Sequence, residues 1–193
     1  LFGLPDQSIF GTSQERTILL NHLTHTCRIA AGLGVTRLTF GAPRNRDRRD
    51  LDSTSCEHIA AEFFSALGDI ASKEGVAVCL EANPAMYGCN FILTTTEALS
   101  LVRTINHRAI KLQIDTGTMI ANSEDASAVV SLASEHPNIV GHIHISEPRL
   151  LPPGDMNSCL SEICKLLRLS FPSHIATIEM IQTPDEPSSA VIE

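Results

Sequence analysis

The sequence lacks an excess of basic residues, a long apolar run and closely spaced cysteine pairs. Lys and Arg number 14 against 22 Asp and Glu, which gives a formal net charge of −8. Phosphate contacts need clustered cations, so we expect no nucleic-acid partner. A membrane-spanning helix needs about 20 apolar residues, and neither such a run nor an amino-terminal signal segment occurs. We therefore expect a soluble, cytoplasmic protein with no membrane partner.

The six cysteines are scattered and include no C-x-x-C pair, which argues against a zinc ribbon. Cytosolic thiols stay reduced, so we expect these cysteines to be buried and free. A chain of 193 residues, with 43% hydrophobic and 19% charged content, can bury one sizeable core. The composition indicates one globular domain with a small-molecule partner, and it leaves the oligomeric state open.

Segments with two different apolar spacings alternate along the chain. Helical spacing is found in residues 14–33, 56–74 and 160–167, after the capping-box pair Thr94 and Glu97, and from Ser123 onward. The runs between them predict strands at residues 35–41, 76–80, 111–115, 139–145 and 175–180. Helix and strand alternate roughly every 30 to 40 residues, the period of parallel βα units. We therefore predict an α/β protein built on a parallel sheet.

Each of the last four predicted strands ends in a polar residue that can bind a metal ion. These residues are Glu81, Asp115, His144 and Glu179. In a parallel barrel the carboxyl ends of the strands share one face, where the loops build the active site. Strand residues alternate between two faces, so the preceding apolar residues should face the helices. Those residues are Leu80, Ile114, Ile143 and Ile178.

This convergence of acids predicts a metal site. Buried carboxylates without a cation would cost several kcal/mol each. Three carboxylates and one imidazole suit manganese, magnesium or cobalt, and they are less well suited to zinc. We predict one partly open, catalytic divalent metal on this face.

The segments LEANPAMYGCNF, IDTGT, GHIHISEPR and ATIEM resemble the later strands of sugar phosphate isomerase/epimerase proteins of the xylose-isomerase-like TIM-barrel superfamily. The resemblance extends over nearly the whole chain. It implies that Glu81, Asp115, His144 and Glu179 ligate the metal. It also implies that Glu81 and Glu179 are catalytic and move protons at carbons next to a carbonyl. A divalent-metal-dependent isomerase or epimerase of a sugar or sugar phosphate is the activity it suggests.

A complete TIM barrel has eight βα units, and about five are recognisable here. The resemblance thus implies an incomplete TIM (β/α)8 barrel, a single partial domain over residues 1–193 whose N-terminal strands are missing. Ketose 3-epimerases of the superfamily often place a His three residues after the metal Asp, where this chain has Thr118. They also carry Arg and Glu after the first metal Glu, where Ala82, Asn83 and Pro84 stand here. The particular sugar therefore cannot be transferred.

Four further residues are predicted to bind substrate. Arg44 begins a basic loop after the 35–41 strand and can hold a phosphate or carboxylate, unless the loop is only a solvated surface. Asn83 can orient sugar hydroxyls. Glu147 and Arg149 follow His144, where a substrate contact and an exposed ion pair are both plausible. His142 shares a strand face with His144, and we expect it to contact the metal ligands through hydrogen bonds rather than to bind the metal itself.

Three alternative functions remain open. An inosose-type dehydratase would use the same metal and proton abstraction and would then expel a hydroxyl. An endonuclease IV-like phosphodiesterase shares the barrel, but it needs three zinc ions, more histidines at strand ends and a basic surface. A non-catalytic barrel remnant is disfavoured because a scaffold has no reason to retain the acids Glu81 and Glu179.

Overall fold

The computed structural model describes residues 4–154 and 159–181, which form an α/β structure. The strands are β1 (Arg37–Phe40), β2 (Ala77–Glu81), β3 (Ile110–Asp115), β4 (Val140–Ile145) and β5 (Ala176–Ile178). The helices are α1 (Ser13–Gly32), α2 (Ser53–Lys73), α3 (Thr95–Ile105), α4 (Thr116–Ala121), α5 (Ala126–Ser134) and α6 (Leu160–Ser170). Each predicted strand is therefore present, with both ends within two residues of the predicted bounds.

The five strands form one parallel sheet in the order β1-β2-β3-β4-β5. The sheet is curled, as contacts between β1 and strands that are not its neighbours show. Arg37 Nε donates to Gly141 O of β4 at 3.2 Å, and Thr39 Oγ1 donates to Gln113 Oε1 of β3 at 3.3 Å. The prediction of an incomplete TIM barrel with about five βα units is confirmed. The assignment of residues 1–193 to a single partial domain stays a prediction.

Alternating residues of the strands divide an apolar outer layer from a polar interior. Leu80, Ile114 and Ile143 belong to the hydrophobic core between sheet and helices, as predicted. Ile178 also lies on the outer side, since Thr177 next to it contacts His142 in the interior, but it is 63% exposed and does not join this core. β5 is the last strand of the described sheet and has a neighbouring strand on one side only, so its outer face stays open.

The helix starts show where local chemistry decides the boundaries. Thr94 accepts a hydrogen bond from Glu97 N at the start of α3, as the sequence predicts. The predicted helix start at Ser123 is wrong, because Asp125 caps α5 by accepting from the backbone N–H groups of Ser127 and Ala128. The short helix α4 was not expected, and it begins directly after Asp115, whose carboxylate accepts from Thr118 N. A carboxylate at this position satisfies a backbone donor that the first helical turn leaves free.

All six cysteines are free, and four of them are buried. Cys164 is half-buried and Cys159 is exposed, so the expectation of burial fails for these two. Both lie on or next to α6, which contacts α4 and α5 and buries only one of its faces, with Leu160, Ile163 and Leu167. Within the described part of the chain, no helix is long and apolar enough to cross a membrane.

A bulge in β4 sets the direction of its two histidines. Val140 pairs with Leu112 and His142 pairs with Gln113, so Gly141 is an extra residue with no partner in β3. The bulge reverses the alternation, since Val140 lies in the core while His142 and His144 face the interior. Gly141 itself faces the interior, where an added Cβ would lie 2.5 Å from Cys79 Sγ and 2.6 Å from Lys111 Cβ.

We predict that Gly141→Ala destabilises the protein by about 1–3 kcal/mol, because the added methyl group overpacks the interior. The free energy of unfolding is measured by chemical denaturation. Gly32→Ala is the matched control, since nothing lies within 4 Å of its added Cβ. The control should be unchanged or slightly stabilised because alanine favours a helix. Equal stability of both variants would contradict the tight packing at the bulge.

Candidate metal centre

Four strand ends bring three carboxylates and one imidazole to a single point. Glu81, Asp115, His144 and Glu179 each offer one ligand atom, and all four atoms lie within 4.8 Å of one another. His144 Nδ1 lies 2.8 Å from Glu81 Oε1, 3.0 Å from Glu179 Oε2 and 4.0 Å from Asp115 Oδ2. The structure therefore brings together the four residues predicted as ligands.

Two buried atoms of this cluster lack a hydrogen-bond partner and could instead bind a metal ion. His144 Nδ1 and Glu81 Oε1 are buried, and neither makes a well-angled hydrogen bond with a described residue. Buried polar atoms without partners are rare and call for an explanation. A cation shared by the four side chains would satisfy both atoms. Hard oxygen ligands with one imidazole suit manganese, magnesium or cobalt.

Burial and the neighbouring groups in the cluster shift the pKa values of Asp115, His144 and Glu179. Burial, followed by the charge of Glu81, raises the pKa of Asp115 to about 6. Burial acts to lower the pKa of His144, but the carboxylates of Glu179 and Glu81 outweigh it and raise that pKa to about 10. The contact with the His144 ring, 3.0 Å away, holds the pKa of Glu179 below its usual value. The cluster thus demands a positive charge at its centre.

Asp115 is held by groups that follow β3 and β4. Its Oδ1 accepts from Thr118 N at 2.6 Å, and its Oδ2 accepts from Ser146 Oγ at 2.8 Å. Ser146 Oγ in turn accepts from Gly117 N at 3.0 Å. Thr116 Oγ1 donates to Ser146 O and accepts from Ser146 N, each at 2.8 Å. Hydrogen bonds of this kind orient a ligating carboxylate before the metal binds.

His142 belongs to a row of polar side chains that crosses the interior beneath the cluster. Gln113 Nε2 lies 3.2 Å from His142 Nδ1, and His142 Nε2 lies 2.9 Å from Thr177 Oγ1. Burial, followed by the charge of His144, lowers the pKa of His142. A neutral ring that accepts at Nδ1 and donates at Nε2 satisfies both neighbours. The ring packs edge-on against His144 with 5.2 Å between centroids.

Two adjoining cavities open beside the cluster and together contain most of the predicted substrate residues. The larger has a volume of about 730 Å³, and Arg44 and Tyr87 line it with Glu81, His144 and Glu179. The smaller has a volume of about 230 Å³. Its lining includes Asn83, Glu147, Tyr87 and Asp115. Arg44 is exposed, while Glu147 is 1% exposed and accepts a hydrogen bond from Gly154 N.

The prediction that Arg149 contacts substrate gains no geometric support. Its side chain is exposed and lines neither cavity beside the cluster. Its backbone, with φ 63°, donates from N to Tyr87 Oη at 2.6 Å. This left-handed backbone conformation could not be predicted from the spacing between Arg149 and His144.

Three supporting residues were missed in the sequence. Ser146 and Gln113 contact Asp115 and His142, and both positions share the interior face of strands already recognised. Arg46 was read only as part of a basic loop, but it is fully buried. A loop residue gives no periodic signal of its burial. For Ser146 the signal is its place two residues beyond His144.

The profile of the xylose isomerase-like TIM barrel family matches residues 8–191. The chain therefore belongs to the xylose isomerase-like TIM barrel family. No protein of curated function matches the sequence at a significant level.

Solved structures of sugar epimerases and of other enzymes share the fold. D-psicose 3-epimerase of Clostridium cellulolyticum H10, solved with D-tagatose, is 17% identical with a TM-score of 0.79, over 98% of this chain and 66% of that one. AP endonuclease family 2 of Brucella melitensis is 19% identical with a TM-score of 0.74, over 98% and 69%. The IOLI protein, solved with a zinc atom, is 15% identical with a TM-score of 0.66, over 88% and 63%. The chain spans about two thirds of their length.

We predict that Ser146→Ala weakens binding of Mn²⁺ about 10–100-fold, because Asp115 loses the donor that orients it. Titration calorimetry measures the dissociation constant. Ser134→Ala removes a hydroxyl that bonds only Val130 O on α5, and it should leave the affinity unchanged. Asp115→Ala should abolish binding. A folded Ser146→Ala protein with wild-type affinity would show that Ser146 does not orient the ligand.

Proposed function

We propose that the protein is a divalent-metal-dependent isomerase or epimerase of a sugar or sugar phosphate, which transfers a proton at the carbon next to a carbonyl. The convergence of Glu81, Asp115, His144 and Glu179 within 4.8 Å is the observation that carries the proposal. Sites for small molecules have volumes of about 300–1,000 Å³, and the adjoining cavity of about 730 Å³ is in this range.

Each ligand has a distinct role in the proposed reaction. Asp115 and His144 would hold the cation together with Glu81 and Glu179. The bound cation would polarise the substrate carbonyl as a Lewis acid. One glutamate accepts the proton from the adjacent carbon, and the other can return a proton there. A base and an acid that share one cation can exchange these roles near neutral pH.

Arg44 favours a substrate that carries an anionic group. It lines the same cavity as the cluster, and its side chain extends from a loop next to β1. A guanidinium binds phosphate or carboxylate oxygens through paired donors. Asn83 and Glu147 line the smaller cavity, where they can contact substrate hydroxyls. We therefore propose a sugar phosphate, or a sugar acid, ahead of a neutral sugar.

A dehydratase is the nearest competing function because it begins with the same proton abstraction. The mass of the product separates the two, since dehydration removes one water. A phosphodiesterase of the endonuclease kind is disfavoured by the net charge of −8. The described residues contain one group that could hold a metal ion, which favours a single ion over three.

We predict that product formed by the manganese-loaded protein in deuterated water carries deuterium at the carbon next to the carbonyl. A proton held by Glu81 or Glu179 exchanges with solvent before it is returned. Mass spectrometry or proton NMR of the product measures the incorporation. Glu81→Gln and Glu179→Gln should each reduce turnover at least about 10²-fold, because an amide cannot accept the proton.

The matched control for these two variants is Glu57→Gln on α2, an exposed position where the same change should leave turnover intact. Conversion without solvent exchange would point to a hydride shift and would overturn the assigned proton transfer. Wild-type turnover in either glutamine variant would remove that residue from the mechanism.

We also predict that substrate binding changes the intrinsic fluorescence of the protein. The chain has one tyrosine and no tryptophan, so all emission of this kind comes from Tyr87. Tyr87 is 39% exposed and lines both cavities beside the cluster. A sugar phosphate in the cavity should therefore give a saturable change in tyrosine emission, because the bound ligand alters the surroundings of the ring. Binding detected by calorimetry without any change in emission would place the substrate elsewhere.

A further inference from the structure

Arg46 is the largest of the fully buried side chains. It lies in the 3-10 turn Pro43–Arg46 that follows β1. A guanidinium stays charged in proteins, and an uncompensated buried charge is costly. No carboxylate within residues 4–154 and 159–181 forms an ion pair with Arg46. Its place in the structure therefore needs another reason.

The hydrogen bonds of Arg46 supply that reason. Nη1 donates to the backbone oxygen of Glu81 at 2.6 Å, and Nη2 donates to Asn83 Oδ1. Both acceptors lie at the carboxyl end of β2, one on a metal-ligand residue and the other two positions later. The planar guanidinium presents its donors in a fixed geometry. Arg46 thus fixes two points of the segment that presents Glu81.

The same segment is anchored at its other polar groups. Ala82 O accepts from Thr118 Oγ1 at 3.1 Å, and Asn83 N donates to Ile92 O at 3.1 Å. Thr118 N is also the donor that holds Asp115. Arg46 therefore completes a set of contacts that ties the Glu81 strand end to the Asp115 strand end.

The loop that carries Arg46 also contacts the carboxylate of Glu81. A Cβ added to Gly41 would lie 2.1 Å from Glu81 Oε2, so the backbone of residue 41 lies close to that oxygen and restricts its position. The loop is itself anchored, since Asn45 Nδ2 donates to Leu4 O at 2.6 Å and to Gln7 O at 2.7 Å. Glu81 is thus fixed at its backbone by Arg46 and limited at its carboxylate by Gly41.

We propose that Arg46 is a positioning residue that orients Glu81 and thereby sets the affinity of the cluster for its divalent ion. It contacts neither the ion nor the substrate. The inference rests on the proposed metal-dependent function. It assigns to the buried cation of the basic loop a role distinct from the anion binding proposed for the exposed Arg44.

The test compares Mn²⁺ binding by wild type, Arg46→Lys and Arg46→Met through competition with a chelator. Arg46→Lys keeps the charge and can keep one contact, so its affinity should fall about 10-fold. Arg46→Met keeps only the bulk, so its affinity should fall about 100-fold, within the range known for residues behind metal ligands. Arg103→Met, at an exposed position on α3, is the control and should bind as wild type does. Saturating Mn²⁺ should restore turnover in Arg46→Lys.

The outcomes separate the inference from the function on which it rests. Folded Arg46→Lys and Arg46→Met with wild-type Mn²⁺ affinity, even at a lower melting temperature, would show that Arg46 is only structural. Should both fail to fold, Asn83→Leu removes the acceptor of Nη2 alone, and unchanged affinity there would also overturn the proposal. Wild type that binds no Mn²⁺ would reject both ideas. Wild type that binds Mn²⁺ without solvent exchange would reject the proposed proton transfer and leave the positioning role standing.

Discussion

The repulsion among three carboxylates around one imidazole is the constraint on which the rest of the structure depends. Positive charge among them, from a bound cation or from the protonated imidazole of His144, offsets this repulsion, and neighbouring groups hold the side chains in place. The hydrogen bonds to Asp115 from Ser146 and Thr118 serve this purpose. The row that runs from Thr39 through Gln113 to His142 fills the interior below the cluster with satisfied polar groups. The helices cover the opposite face of the sheet, where apolar residues form the core.

The alternation of elements and the four strand-end residues could be predicted because they follow from periodicity. A parallel strand exposes its carboxyl end at a fixed edge, so a polar residue there is visible from sequence alone. The positions of Glu81 and Asp115 therefore required no knowledge of tertiary contacts. The helix α4 was missed because its start depends on the Asp115 side chain. The exposure of Ile178 was not foreseen because strand alternation predicts the face on which a residue lies but not what covers that face.

Loop residues resisted prediction for a different physical reason. Arg44 and Arg46 are two positions apart in one basic loop, yet one is exposed and the other is fully buried. The 3-10 turn and hydrogen-bond acceptors some 35 residues away decide which of the two is buried. Neither the turn nor these acceptors can be recognised from the spacing of nearby residues. Arg149 likewise has a left-handed backbone conformation that could not be predicted from its residue type.

Because of the extra residue in β4, this strand keeps its side-chain directions in another protein only if the bulge at Gly141 is kept as well. Val140 and His142 are separated by two positions but occupy opposite faces, and only the unpaired Gly141 permits this. An engineer who grafts the strand into another barrel and idealises its pairing from Val140 onward would place Ile143 opposite the acid and turn both histidines toward the helices. Sequence similarity to the parent would be almost complete, and the graft would have no imidazole at its centre.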